Sequence, residues 1–256
     1  MKSMCKADEV PPRNIKILVA YDGTDFFGWQ RQARARTVQG DIEDALETLH
    51  KAPVALTGAG RTDTGVHASG QVANFYTSIR GMEPERFVPA LNSLLSRDVR
   101  ILEAKETYRS FHARFDARRR TYRYHFITRP HALPWELRCA WHIRRRPDIR
   151  RLNEYARLFR GEMDCSAFAA PTDKSKSRHR YISSACFYVE GDRLIFEISA
   201  NAFLWRMVRS VAGTLIRCEE KGLNAADVQG IIESGSRALA GPTAPPQGLF
   251  LWKVDY

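Results

Sequence analysis

The segment Gly58-Ala-Gly-Arg61-Thr-Asp63-Thr-Gly-Val-His67-Ala-Ser-Gly70 gathers reactive side chains between glycines. Asp63 is its single carboxylate. Arg61 lies two residues before it and His67 four residues after. Glycine tolerates backbone geometry that other residues resist, and it lets a substrate approach the main chain closely. A carboxylate presented on such a loop suits a nucleophile or a general base. A bare Asp-Thr-Gly fits an acidic turn equally well, because Asp-x-Gly is common in turns. It also resembles the loop of aspartic proteases, whose chemistry needs two carboxylates sharing a proton. This chain has one Asp-Thr-Gly, so a protease would have to be a symmetric dimer. The loop is not a Walker-type phosphate cradle. Gly60-x-x-x-x-Gly65 runs into Val66-His67, not Lys-Ser/Thr.

A second pattern interleaves cations with aromatics. Phe111-His-Ala-Arg114-Phe115 leads into Arg118-Arg-Arg120-Thr-Tyr122-Arg-Tyr124-His-Phe126. As a strand, the run places Tyr122, Tyr124 and Phe126 on one face, and Arg119, Thr121, Arg123 and His125 on the other. Guanidinium groups pair with phosphates and aromatic rings stack on unpaired bases. Core aromatics with solvated arginines give the same pattern, and Tyr122 alone is set apart as a candidate contact. Arg144, Arg145, Arg146, Arg150 and Arg151 form a phosphate patch or, singly, solvated charges. Arg206 and Arg209 fall off the apolar stripe of a helix over 203–216. Arg209 is placed to reach a carboxylate, and an opposite charge within ~4–6 Å keeps an acid ionised. The alternative is an arginine snorkelling at the helix edge.

These residues need a scaffold. The chain has 256 residues, long enough for one large or two small cores. Its hydrophobic content of 44% makes it globular. Forty Lys+Arg against 29 Asp+Glu give a formal charge of +11, which favours a polyanionic partner. Cys5, Cys139, Cys165, Cys186 and Cys218 are scattered, without zinc or disulfide spacing, as in a reduced cytoplasmic protein. Residues 1–13 lack the apolar run of a secretory signal and read as a mobile tail. No apolar stretch is long enough for a membrane span.

Strands are expected at 15–21, 54–57, 71–76 and 99–103. Helices are expected after Thr37, with Val38, Ile42, Ala45, Leu46 and Leu49 at helical spacing, and after Pro84. The second half predicts strands at 121–127, 185–190, 193–199 and 249–255. Helices follow Pro147-Asp148, span 203–216 with Gly222 as stop, and cover 225–234. Each half, 14–115 and 116–256, therefore reads strand-helix-strand-strand-helix-strand. This is the α+β, ferredoxin-like order. Two such halves with joined antiparallel sheets would frame a central cleft and leave one broad face free of helices, where a nucleic acid could lie.

The motifs together resemble the TruA-type tRNA pseudouridine synthase family. Gly60-Arg-Thr-Asp63-Thr-Gly-Val-His-Ala68 is similar to its catalytic motif. Further landmarks follow in order. They are Tyr21-Asp-Gly-Thr-Asp-Phe-Phe-Gly-Trp-Gln30, Thr37-Val-Gln-Gly40, Arg119-Arg-Thr-Tyr122-Arg-Tyr, Asn201-Ala-Phe-Leu-Trp-Arg-Met-Val-Arg209 and Ala244-Pro-Pro-Gln-Gly248-Leu. The resemblance runs from about Ile15 to the end. It implies conversion of uridine to pseudouridine in the anticodon arm of tRNA, at positions 38 to 40, without cofactor or metal. It makes Asp63 the catalytic aspartate, paired with Arg209. Tyr122 would pack on the target base and Arg61 would help displace that base from its stack. It also implies a homodimer whose two subunits share each tRNA. His67 is then a structural part of the loop.

Two segments depart from the family pattern. Trp205-Arg206 stands where many members carry His, Tyr or Asn, and Ala167-Phe-Ala-Ala-Pro171 replaces a Ser/Gly-containing segment. Arg178 and Arg180, beyond that segment, remain candidate phosphate contacts. A non-catalytic RNA-binding protein on the same fold is the second reading, and the intact Arg61-Thr-Asp63 weighs against it. An aspartic-type hydrolase is the third.

Overall fold

The strand Arg13–Tyr21 (β1) alternates as a half-buried strand should, with Ile15, Ile17 and Val19 fully buried on one face. It belongs to a computed structural model that describes residues 12–256. The expected tail over residues 1–13 lies outside the described residues except for Pro12 and Arg13, and Arg13 already opens β1.

The N-terminal half continues with α1 (Val38–His50), β2 (Leu56–Gly58), β3 (His67–Thr77), α2 (Phe87–Leu94) and β4 (Val99–Thr107). Thr37 caps α1, its hydroxyl accepting the Gly40 N–H at 3.2 Å. Val38, Ile42, Ala45 and Leu46 bury the inner face of that helix. Pro84 opens a short 3-10 turn ahead of α2. Pro89 is tolerated because it sits in the first turn of α2, where its missing N–H has no intrahelical acceptor.

The C-terminal half comprises β5 (Arg119–Ile127), β6 (Trp141–His142), α3 (Ile149–Arg157), β7 (Gly161–Asp164), β8 (His179–Glu190), β9 (Arg193–Ala200), α4 (Met207–Glu220), α5 (Ala225–Glu233) and β10 (Leu249–Asp255). The short strands β6 and β7 are additions to the expected rhythm. Among the described residues, no helix is long and apolar enough to cross a membrane.

One mixed ten-stranded sheet runs through the molecule in the order β4-β1-β3-β10-β5-β9-β8-β7, with β2 on β3 and β6 on β5. The α+β class is as expected. The join is not antiparallel throughout. β10 pairs with β5 antiparallel over most of its length, and that direction leaves it parallel to β3, through Phe250↔His67 and Leu251↔Ala68. Arg120 clamps the two halves near this seam. Its guanidinium donates to the carbonyls of Ala59, Arg114, Ala117 and Asn201, at 3.1, 2.6, 2.9 and 2.8 Å.

The helix expected over 203–216 begins later, at Met207. Arg206 has φ 61° and ψ 7°, a left-handed conformation that no α-helix can pass through. Phe203 and Leu204 therefore belong to the preceding loop. Phe203 meets Tyr122 edge-on at 5.0 Å between ring centroids, and Leu204 is buried. The end is as expected, with Gly222 left-handed at φ 68° just past the helix.

Candidate active site

The Asp63 loop is pinned from beneath by the segment 21–30. The Trp29 N–H bonds the Thr62 carbonyl at 3.1 Å, and the Gly65 N–H bonds the Phe26 carbonyl at 3.3 Å. Gly28, at φ 87°, packs so closely that an added Cβ would stand 2.5 Å from the Thr62 carbonyl oxygen. The Gln71 side chain holds the Gly60 carbonyl at 2.7 Å from the floor of β3. The loop is thus a fixed platform, and Asp63 is only partly covered on it.

Two donors from the other half meet the carboxylate. Arg209 Nη1 reaches Asp63 Oδ2 at 3.0 Å. Trp205 Nε1 reaches Asp63 Oδ1 at 2.8 Å. The Arg209 Nε is bonded to the Ala244 carbonyl at 2.8 Å, so the guanidinium is oriented from behind. Tyr122 stands opposite, 8% exposed, with its ring against Phe203. Burial pushes its hydroxyl up to about 12, and the nearby Asp63 charge adds to the rise. The hydroxyl is therefore neutral at physiological pH, and it makes no hydrogen bond to any described residue.

Arg61 is exposed and lies on the same cleft, its Nε bonded to Gln30 Oε1 at 3.0 Å. The cleft measures about 1020 Å³. Gln39 of α1, Tyr122 of β5, Arg209 of α4 and Leu249 of β10 all line it. It therefore opens on the helix-bearing side of the sheet, not on the helix-free face that the sequence suggested for a nucleic acid.

A sequence profile described as tRNA pseudouridine synthase matches residues 17–116 and 155–256. This chain belongs to the tRNA pseudouridine synthase family. The tRNA pseudouridine synthase A of Treponema denticola is 51% identical over 249 residues, covering 95% of this chain and 93% of that protein. That of Treponema pallidum (strain Nichols) is 48% identical over 235 residues, covering 90% and 84%. That of Borrelia hermsii is 40% identical over 243 residues, covering 94% and 99%.

Within this tRNA pseudouridine synthase fold, the other expected contacts fare unevenly. His67 is buried in a purely structural position. Its Nδ1 accepts the Gly23 N–H at 3.0 Å and its Nε2 bonds the Arg138 carbonyl at 2.9 Å. Burial holds its pKa below the usual value despite the Asp22 charge beside it. Arg178 is bound to Asp173 at 3.2 Å and Arg145 to Glu219, so neither is a free phosphate ligand. Arg123 pairs with Glu197 at 2.7 Å and stacks on Trp252, 3.9 Å from the ring centre.

Trp205 is the contact that reading the sequence missed as a partner of Asp63. The one available signal was its place four residues before Arg209, a single helical turn. That signal is weakened because Trp205 precedes α4. Asp173, which accepts the Trp205 backbone N–H at 2.5 Å, carried no motif at all.

Proposed function

We propose that this chain isomerises uridine to pseudouridine in tRNA, using Asp63 as its catalytic carboxylate. One observation carries the reading. In a member of this family, Asp63 faces a basic cleft with Arg209 at 3.0 Å and the Tyr122 ring lining the same cleft. The reaction detaches the base at N1, turns it and rejoins it through C5. An ionised carboxylate serves as nucleophile or charge stabiliser while the base is detached. Arg209 faces that carboxylate as its ion-pair partner. Tyr122 packs on the base and offers a neutral hydroxyl near the migrating C5 proton. Arg61, exposed at the mouth, takes part in displacing the uridine from its stack, a step that costs a few kcal/mol. The excess of 40 Lys+Arg over 29 Asp+Glu supplies phosphate contacts that offset this cost.

In finer detail, the substrate region is the anticodon arm, at positions 38 to 40, and the working form is a cytoplasmic homodimer. The two halves, 14–115 and 116–256, are ferredoxin-like units. The strand order β4-β1-β3-β2 in one and β10-β5-β9-β8 in the other supports this. Incubating unmodified tRNA with wild type and with Asp63→Asn, then mapping pseudouridine, tests the function. Wild type forms pseudouridine at 38 to 40 and Asp63→Asn forms none. Absence of product from wild type refutes the activity, and leaves an RNA-binding protein on the same fold. Full activity of Asp63→Asn refutes the role of Asp63.

A further inference from the structure

Trp205 is 42% exposed, yet it is among the most firmly directed side chains in the cleft. Its backbone N–H is held by Asp173 Oδ2 at 2.5 Å, and its carbonyl accepts the Ala170 N–H at 3.0 Å. Asp173 is itself fixed by the Ser175 N–H at 2.8 Å and by Arg178 at 3.2 Å. Immediately after Trp205 the chain takes the left-handed turn at Arg206. A non-glycine residue there is strained, and such strain persists only where surrounding contacts over-determine it. The Arg206 guanidinium then folds back over the indole, 4.8 Å from the ring centre. These contacts aim one group, the indole N–H, at Asp63 Oδ1 from 2.8 Å.

The consequence for the carboxylate is geometric. Each oxygen receives one donor, Trp205 on Oδ1 and Arg209 on Oδ2. A single donor leaves a carboxylate free to rotate about its last bond, whereas two donors on different oxygens fix its plane. An ionised carboxylate has about four acceptor sites, so two remain for the substrate. Preorganisation of this kind places a reacting group before the substrate arrives.

We propose that Trp205 is a positioning residue that, together with Arg209, locks the plane of the Asp63 carboxylate for attack or proton transfer. This rests on the reading of Asp63 as the catalytic group. The role belongs to the N–H and not to the ring, so Trp205→Phe separates the two.

Trp205→Phe is expected to lower kcat roughly tenfold or more, the equivalent of one charge-assisted hydrogen bond, with the tRNA Kd unchanged. A second readout needs no turnover. The chain has five tryptophans, and the indole N–H resonance that vanishes in the 15N-labelled Trp205→Phe spectrum is that of Trp205. In free protein this resonance should move sharply in Asp63→Ala, while the other four stay in place. Unchanged kcat in Trp205→Phe overturns the proposal. So does a rise in Kd at constant kcat, which makes Trp205 a tRNA contact. So does an indole resonance blind to Asp63→Ala. Failure of the underlying reading looks different. Asp63→Asn then keeps full turnover, while the indole resonance still responds to Asp63→Ala.

Discussion

The hydroxyls of Tyr21 and Thr62 share a hydrogen bond of 2.7 Å directly beneath the Asp63 loop. Tyr21 ends β1 and Thr62 precedes Asp63, so this bond ties the loop to the first strand of the sheet. Burial drives the Tyr21 hydroxyl well above the ordinary tyrosine range, and it remains a neutral partner throughout the working pH.

Tyr21→Phe leaves the buried Thr62 hydroxyl without its partner. An unsatisfied buried hydroxyl costs about 1–3 kcal/mol. The expected result is a lower Tm and a lower kcat with tRNA affinity retained. Thermal unfolding and single-turnover kinetics measure the two, and an unchanged Tm would show that the bond does not brace the loop.

Gly28→Ala strikes the loop from another side. The added Cβ meets the Thr62 carbonyl oxygen at 2.5 Å, and φ 87° is poorly adopted by alanine. Overpacking and strain together destabilise by about 2–4 kcal/mol and push Thr62 and Asp63 out of place. Gly81, where a Cβ meets nothing within 4 Å, is the matched control. Gly81→Ala keeps both activity and Tm, and equal behaviour of the two variants would refute the packing argument.

Tyr122→Phe keeps the ring and removes the hydroxyl. It binds tRNA as wild type does but turns over more slowly, by roughly tenfold or more. Its pH signature follows from the raised value of about 12. The unfolded chain sheds the tyrosine proton near pH 10, before the folded protein does. Stability is therefore full below pH 10 and falls between pH 10 and 12. Tm loss across pH 10–11 should be shallower in Tyr122→Phe, and equal slopes would remove Tyr122 from the alkaline transition.

His125 offers a test on the acid side. Both of its ring nitrogens lie buried without a hydrogen-bond partner among the described residues, beside Phe250 at 4.7 Å. Burial, with Arg193 and Arg123 nearby, lowers its pKa to about 4. The unfolded histidine takes up a proton near pH 6.5, so the unfolded state binds more protons between pH 6.5 and 4. Stability falls as pH drops through that window, by roughly 3 kcal/mol at most. His125→Phe fills the same space without the penalty. Its Tm should exceed that of wild type, with the larger gap at pH 5 than at pH 8.

Much of this was legible in the sequence because it is periodic or local. The Thr37 cap, the buried stripe of α1 and the alternation of Tyr122, Tyr124 and Phe126 each follow from spacing within a dozen residues. The approach of Arg209 to Asp63 came from motifs in fixed order, since 146 residues separate the pair. What escaped was non-periodic. The left-handed turn at Arg206 is invisible in an apolar pattern that continues through Phe203 and Leu204. The parallel run of β10 beside β3 spans only two residue pairs and leaves no trace in composition. The burial of His125 and the half-burial of Arg123 against Trp252 on the second face of β5 also escaped, because alternation says which face and not what covers it.

The seam between β3 and β10 has a further consequence. The acid stands on one side of it, and its arginine, indole and tyrosine stand on the other. With Asp63 as the proposed catalytic group, neither piece holds the full set, so a chain cut in the 108–118 connection would yield two inert fragments. Mixed, they would regain turnover only when Phe250 and Leu251 find His67 and Ala68, and Arg120 again finds Ala59. Product formation would then count reunited pairs, which makes the protein a natural template for a split reporter of proximity.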